Sequence, residues 1–66
     1  MKIIANSKVF EKPENLTVSD FIKSIGADPR RCVVEYNGKA MRFAQFENIE
    51  LREGDRLEIM KVVAGG

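Results

Sequence analysis

A single helical period at residues 17–26, with strand-like runs before and after it, limits what this sequence can fold into more than any other feature. Val18, Phe21, Ile22 and Ile25 are spaced i, i+3, i+4 and i+7, which sets four apolar side chains on one helical face. Thr17 stands at the N-cap, and Asp20 three residues later completes a capping-box pattern, with Asp in place of the usual Glu. Leu16 and Phe21 occupy the two positions of a hydrophobic staple, and Gly26 stands where a left-handed C-terminal cap is wanted. The pattern predicts a helix of about two to three turns. An apolar stripe can also seat a partner helix, but a domain this small needs it for its own thin core. The helix therefore calls for a sheet to lie on.

The flanking runs supply that sheet. Lys2-Ile3-Ile4-Ala5 and Lys8-Val9-Phe10-Glu11 read as strands joined through Asn6-Ser7, and Pro13 stops the second. After the helix, 27–31 reads as a connecting loop whose Arg30-Arg31 pair is solvated. Cys32-Val33-Val34-Glu35-Tyr36 is β-branched and aromatic, so it is a strand. Asn37-Gly38 then signals a type I′ hairpin into the short strand Lys39-Ala40-Met41. Residues 43–51 lack strand alternation and read as a loop with one helical turn, whose Phe43, Phe46, Ile49 and Leu51 cover an open edge of the core. Glu53-Gly54-Asp55 is a turn. From Arg56 to Met60 the alternation is clean, Leu57 and Ile59 inward, Arg56 and Glu58 outward, and the strand is expected to run on through Val63.

One helix on one face of a mixed sheet is the economical α+β arrangement. Val33, Tyr36, Met60 and Val62 are then expected on the face away from the helix, where an exposed apolar patch marks an interaction surface. Met60 and Val62 share that face next to the end of the last strand, and they are the candidate partner-binding residues.

The chemistry available inside the chain is narrow. There is no histidine and one cysteine, so neither a metal site nor a Cys–His pair can be assembled and no internal disulfide can form. No glycine-rich phosphate loop is present. Eleven Lys+Arg against ten Asp+Glu are interspersed, which leaves no basic stripe for nucleic acid. No run has the length of a membrane span, and the expected setting is cytoplasmic. Cys32 reads as a small buried hydrophobe in preference to a nucleophile, since nothing nearby in sequence would form its thiolate.

What remains is the end of the sequence, Val62-Val63-Ala64-Gly65-Gly66. Two residues without Cβ make a thin thread that can enter a narrow channel and approach another backbone closely. Read as a free end, Gly66 carries an α-carboxylate, the one reactive group of the tail. A frayed terminus has the same look, so the tail alone does not choose. The division expected is a domain over 1–63 and a reactive tail over 64–66.

Asn37-Gly38, the Glu53 to Ile59 run and Val62-Val63-Ala64-Gly65-Gly66, together with the element order and the length, resemble the β-grasp, ubiquitin-like sulfur carrier proteins, and among them the small carriers of thiamin biosynthesis. The likeness covers the whole chain. It departs where Met41-Arg42-Phe43 stands in place of a Pro-Arg pair and where Phe46 fills an aromatic site often held by Trp. The molybdopterin branch often has a proline pair before its Gly-Gly; this chain has Met60-Lys61-Val62-Val63.

The resemblance implies a β-grasp sheet with one main helix, and a carrier in place of an enzyme. In that family a ubiquitin-activating-type adenylyltransferase uses ATP and Mg²⁺, which the carrier does not itself bind, to adenylate the terminal glycine. A sulfur-donating enzyme then provides sulfur, AMP leaves, and a thiocarboxylate remains on the residue matching Gly66. Thiazole synthase receives the sulfur. Gly65 and Ala64 would thread the partner channels, and the carrier would be a monomer when free. Delivery of sulfur to molybdopterin or another acceptor, and a ubiquitin-like modifier or binding module, are the alternative readings.

Overall fold

The computed structural model describes residues 1–62. Along the chain these form β1 (Lys2–Ala5), β2 (Lys8–Glu11), α1 (Val18–Ser24), β3 (Cys32–Tyr36), β4 (Lys39–Met41) and β5 (Arg56–Lys61), with 3-10 turns at Pro29–Arg31 and Phe43–Gln45. The strands make one sheet in the order β2-β1-β5-β3-β4. β1 and β5 are parallel and the other neighbours antiparallel. This is the mixed β-grasp sheet expected from the sequence, and its central strand is the one that leads to the tail.

Both hairpins turn through left-handed residues. Asn6 and Ser7 have φ of 50° and 68°, Asn37 and Gly38 of 48° and 86°, the primed geometry that matches strand twist. Asn6 then extends the β1–β5 ladder with its side chain. Its Nδ2 donates to the Ile59 carbonyl at 3.0 Å and its Oδ1 accepts from the Ile59 N–H at 2.8 Å. Both hydrogen-bonding groups of one β5 residue are met by a single amide.

The helix is tied at both ends. Thr17 Oγ1 accepts from the Asp20 N–H, and Asp20 Oδ2 accepts from the Thr17 N–H, so the capping box is complete. The Val18 and Ser19 N–H groups donate to the carbonyls of Ile49 and Phe46, each at 3.0 Å. All four N–H groups that a helix start leaves without an internal acceptor are thus satisfied. At the other end Gly26, at φ 83°, donates to Lys23, and Ala27 donates to Ile22, the Schellman pattern.

The core joins Val18, Phe21 and Ile22 of α1 to Ile3, Ala5, Val34, Leu57 and Ile59 of the sheet, closed by Phe46 and Leu51. Phe10 meets Phe21 edge-on with ring centres 5.4 Å apart. Leu16 packs against this core, as a staple residue should.

Several expectations are corrected here. Ile25 is partly exposed, because α1 ends at Ser24 and Ile25 is its C-cap, with ψ of 10° carrying it off the helical face. Residues 29–31 are not a plain loop but a 3-10 turn capped by Asp28, whose Oδ1 accepts from the Arg30 N–H. Phe43 does not cover the core: it is exposed and leans edge-on against buried Phe46. Tyr36 is registered with Leu57 and packs on the helix side, not on the open face. Cys32 is only half-buried. β5 ends at Lys61, one residue before Val62 and two before the expected end.

Candidate functional site

Alternation along β5 divides its residues between the two faces. Leu57 and Ile59 are buried toward α1, while Arg56, Glu58 and Met60 are exposed on the opposite side. The antiparallel register sets Val33 of β3 opposite Met60, and Glu35 opposite Glu58. Val33 and Met60 are 46% and 53% exposed, and Val62, just past the strand, is 54% exposed. These three leave an apolar area on the surface beside the point where the chain leaves the sheet. Met60 stands on the open face and Val33 joins it through the register, while Val62, past the end of the strand, is exposed and lines the groove beside the 3-10 turn. Ala64, Gly65 and Gly66, with Val63, lie outside the described residues.

The chain is anchored immediately before that exit. The Val62 N–H donates to the Arg31 carbonyl at 2.7 Å, which ties it to the 3-10 turn after α1. A groove of about 380 Å³ opens there, with Asp28, Arg31, Cys32, Lys61 and Val62 in its lining. The Cys32 thiol donates to the Asp28 carbonyl at 3.2 Å. Burial pushes its pKa up, the Asp28 charge adds to this, and Lys61 opposes it. A thiol held in its protonated form is a poor nucleophile, so the sequence reading of Cys32 as chemically inert agrees with its surroundings, although its burial is only partial.

The start of β5 is held by Asp55, a residue the sequence reading treated only as part of a turn. Its Oδ2 accepts from the Tyr36 hydroxyl at 2.8 Å and from the Arg52 N–H at 2.8 Å, and its Oδ1 accepts from Asn37 Nδ2 at 3.2 Å. Asn37 Oδ1 in turn accepts from the Arg56 N–H at 2.9 Å. Asp55 thereby fastens the β3–β4 turn to the entry of β5. Asp after a turn glycine was visible in the sequence; the Tyr36 and Asn37 donors, 19 and 18 positions away, were not.

With this geometry in view, the comparisons with known proteins decide the family. Residues 1–66 match the ThiS family. The chain belongs to that family. A crystal structure of the thiamine biosynthesis protein ThiS from Geobacter metallireducens superposes with a TM-score of 0.82 at 25% identity, covering 100% of both chains. A solution structure of a thiamine biosynthesis protein from the same organism gives 0.79 at 23% identity, covering 100% of this chain and 88% of that one, and supports the fold alone. A thiazole synthase of Paramagnetospirillum magneticum is 27% identical over 66 residues, which is 100% of this chain and 20% of that protein. The chain thus spans a fifth of that relative's length. No helix among the described residues is long and apolar enough to cross a membrane.

Proposed function

We propose that this ThiS-family chain is the sulfur carrier of thiazole formation in thiamin biosynthesis: a protein cosubstrate, not an enzyme, working in the cytoplasm. The observation that carries the reading is the family match over residues 1–66, which runs through Gly65 and Gly66. The match to part of a protein named thiazole synthase supports the acceptor branch.

In this reading Gly66 is the chain terminus and its carboxylate is the reacting group. A carboxylate is charged and resonance-stabilised, hence a poor electrophile. A ubiquitin-activating-type adenylyltransferase, with its own ATP and Mg²⁺, joins AMP to it and releases pyrophosphate. A sulfur-donating enzyme then supplies the sulfur that displaces AMP, leaving a thiocarboxylate that thiazole synthase consumes. This chain supplies a folded handle and a thin thread. Four residues beyond Val62 span at most about 14 Å, so the partner's active site must come close to the end of β5. In this reading Met60 and Val62 dock that partner, and Ala64 and Gly65 enter its channel.

The test uses the purified chain and its activating enzyme. Deleting Gly66, or extending the chain beyond it, abolishes ATP–pyrophosphate exchange and leaves the melting temperature unchanged. Gly65→Val slows the exchange with the fold intact, because a β-branched side chain adds width and restricts the backbone. The intact mass of protein isolated without thiols from its own cells shows Gly66 as the last residue and sulfur in place of one carboxylate oxygen. Unchanged exchange by an extended chain overturns the reading.

A further inference from the structure

Among the described residues, the hydrogen bond farthest along the chain runs from the Val62 N–H to the Arg31 carbonyl, at 2.7 Å. It continues the β3–β5 ladder, yet neither residue belongs to a strand. β5 ends at Lys61, and Arg31 closes the 3-10 turn Pro29–Arg31. The place of the acceptor is therefore set by the turn. Asp28 builds that turn. Its Oδ1 accepts from the Arg30 N–H at 3.0 Å, and its carbonyl accepts from the Arg31 N–H at 2.9 Å and from the Cys32 thiol at 3.2 Å. Its Oδ2 stands 3.9 Å from Arg31 Nε. Pro29 is buried and Asp28 is exposed, so the turn is fixed to the core through Pro29 and closed at the surface by the hydrogen bonds of Asp28.

In an antiparallel ladder alternate residues bond to a given neighbour. On the β3 side, the residue of that parity before Val62 is Met60, opposite Val33. On the β1 side, the Asn6 amide holds β5 at Ile59. Releasing Val62 therefore moves the root of the tail back from Val62 to Met60. Residues 61 and 62 then join 63–66 as chain that must be ordered whenever the tail enters a partner's active site, and each residue so ordered loses backbone entropy. We infer that Asp28 is a positioning residue of the carrier: it holds the Arg31 carbonyl where it clamps Val62, and so fixes the point from which the reactive tail is presented. Asp28 acts through Arg31 and touches no reacting atom. The inference rests on the proposed function for the chemistry of the tail and adds what sets its starting point.

The clamp can be cut from either side. Asp28→Ala removes the carboxylate that caps the turn, and Asp28→Asn keeps an acceptor oxygen in its place. Val62→Pro removes the donor, whereas Val62→Ala trims the side chain and keeps the N–H. Proline suits the site, because Lys61 before it is already extended. In Asp28→Ala the Val62 amide exchanges with solvent about tenfold faster by NMR, and the melting temperature drops by a few degrees at most. ATP–pyrophosphate exchange with the purified activating enzyme loses about tenfold in kcat, while KM for the chain stays level because docking is intact. Asp28→Asn restores both the amide protection and kcat. Val62→Pro falls about tenfold in kcat below Val62→Ala. A residue with only a structural role would lower the melting temperature and leave kcat per folded molecule at its wild-type value. Wild-type kcat in Asp28→Ala, unchanged Val62 exchange in that variant, or equal kcat in the two Val62 variants overturns the inference. So does a rise in KM with kcat unchanged, which would make Asp28 a docking residue. Normal adenylation of both the wild type and Asp28→Ala sinks the inference alone, whereas a wild-type chain that is never adenylated sinks the carrier reading and the positioning role with it.

Discussion

On the helix side of the sheet, Ile3, Ala5, Val34, Leu57 and Ile59 are buried against α1 and meet Phe46 and Leu51 from the 42–52 segment. On the other side, the residues that alternate with them are Ile4, Val33, Glu35, Arg56, Glu58 and Met60, and apart from half-buried Ile4 these are exposed. The same five strands carry both sets. The first face is apolar at its centre and closed by a helix whose first four N–H groups are all bonded. The second mixes apolar residues with charged ones, Arg56 beside Glu58 and Glu35 opposite, and no element of the described chain covers it. Burial of apolar area drives folding, and the helix side alone provides it. The open side contributes little to that burial, so its residues are not held to an apolar pattern.

The largest expected effect tests the closed face. Phe21→Ala removes a fully buried ring, and such truncations cost about 3–5 kcal/mol. For a chain of this length total stability is roughly 3–10 kcal/mol, so the variant should be largely unfolded at room temperature by circular dichroism. Ile22→Val, costing about 1 kcal/mol, stays folded and should bind the activating enzyme as the wild type does. Weakened binding by folded Ile22→Val would blur the division between the faces.

Next in size is Asp55→Ala. It leaves the Tyr36 hydroxyl, the Asn37 amide and the Arg52 N–H without their acceptor. Hydrogen bonds to a charged acceptor are worth more than neutral ones, so urea denaturation should show a loss on the order of 2–3 kcal/mol. A smaller effect follows from the same cluster. Burial holds the Tyr36 pKa above its ordinary value near 10, and the hydrogen bond and charge of Asp55 push it the same way, against Arg52. A group whose folded pKa is raised binds its proton more tightly when folded, so its contribution is complete below pH 10 and is lost as pH rises through the higher folded value. Melting curves taken upward from pH 9 should fall, and Tyr36→Phe should flatten that part of the fall.

The helix, its caps, all five strands, both hairpins and the primed turn at Asn37-Gly38 were legible in the sequence, because each is written locally: a 3.6-residue period, an Asn-Gly pair, a clean alternation. The misplacements have different causes: Ile25 fell past the helix end and Phe43 into a 3-10 turn, whereas Tyr36 was assigned by apolar character alone, and which side of a sheet a residue occupies depends on register against a distant strand. The Glu35–Glu58 opposition was hidden for the same reason, since 23 residues separate the two and neither is unusual alone. Asn6 and Asp55 looked like turn residues and proved to be long-range clasps, with partners 53 and 18–19 positions away. The tail chemistry was argued from composition and family likeness, and it lies beyond residue 62.

The smallest expected change in stability belongs to Met60→Ala, and it sharpens the comparison most. Met60 is on the central strand, between Ile59, which is buried, and Lys61, which is not. Were it packed, truncation would cost about 2–5 kcal/mol. Its side chain instead stands on the open face opposite Val33, with more than half its surface in water. Truncation there should cost less than about 0.5 kcal/mol. If the open face is the docking face, the same methyl and sulfur atoms become buried only in the complex, where a central anchor is worth roughly 2 kcal/mol or more. Affinity for the activating enzyme should then fall by more than tenfold while the denaturation midpoint barely moves. Val9→Ala is the matched control, exposed on the same face but on edge strand β2, and should change neither quantity appreciably. A large stability loss in Met60→Ala with unchanged binding per folded molecule would reverse the assignment of the two faces. Equal binding losses in the two variants would spread the docking surface across the whole sheet and away from the end of β5.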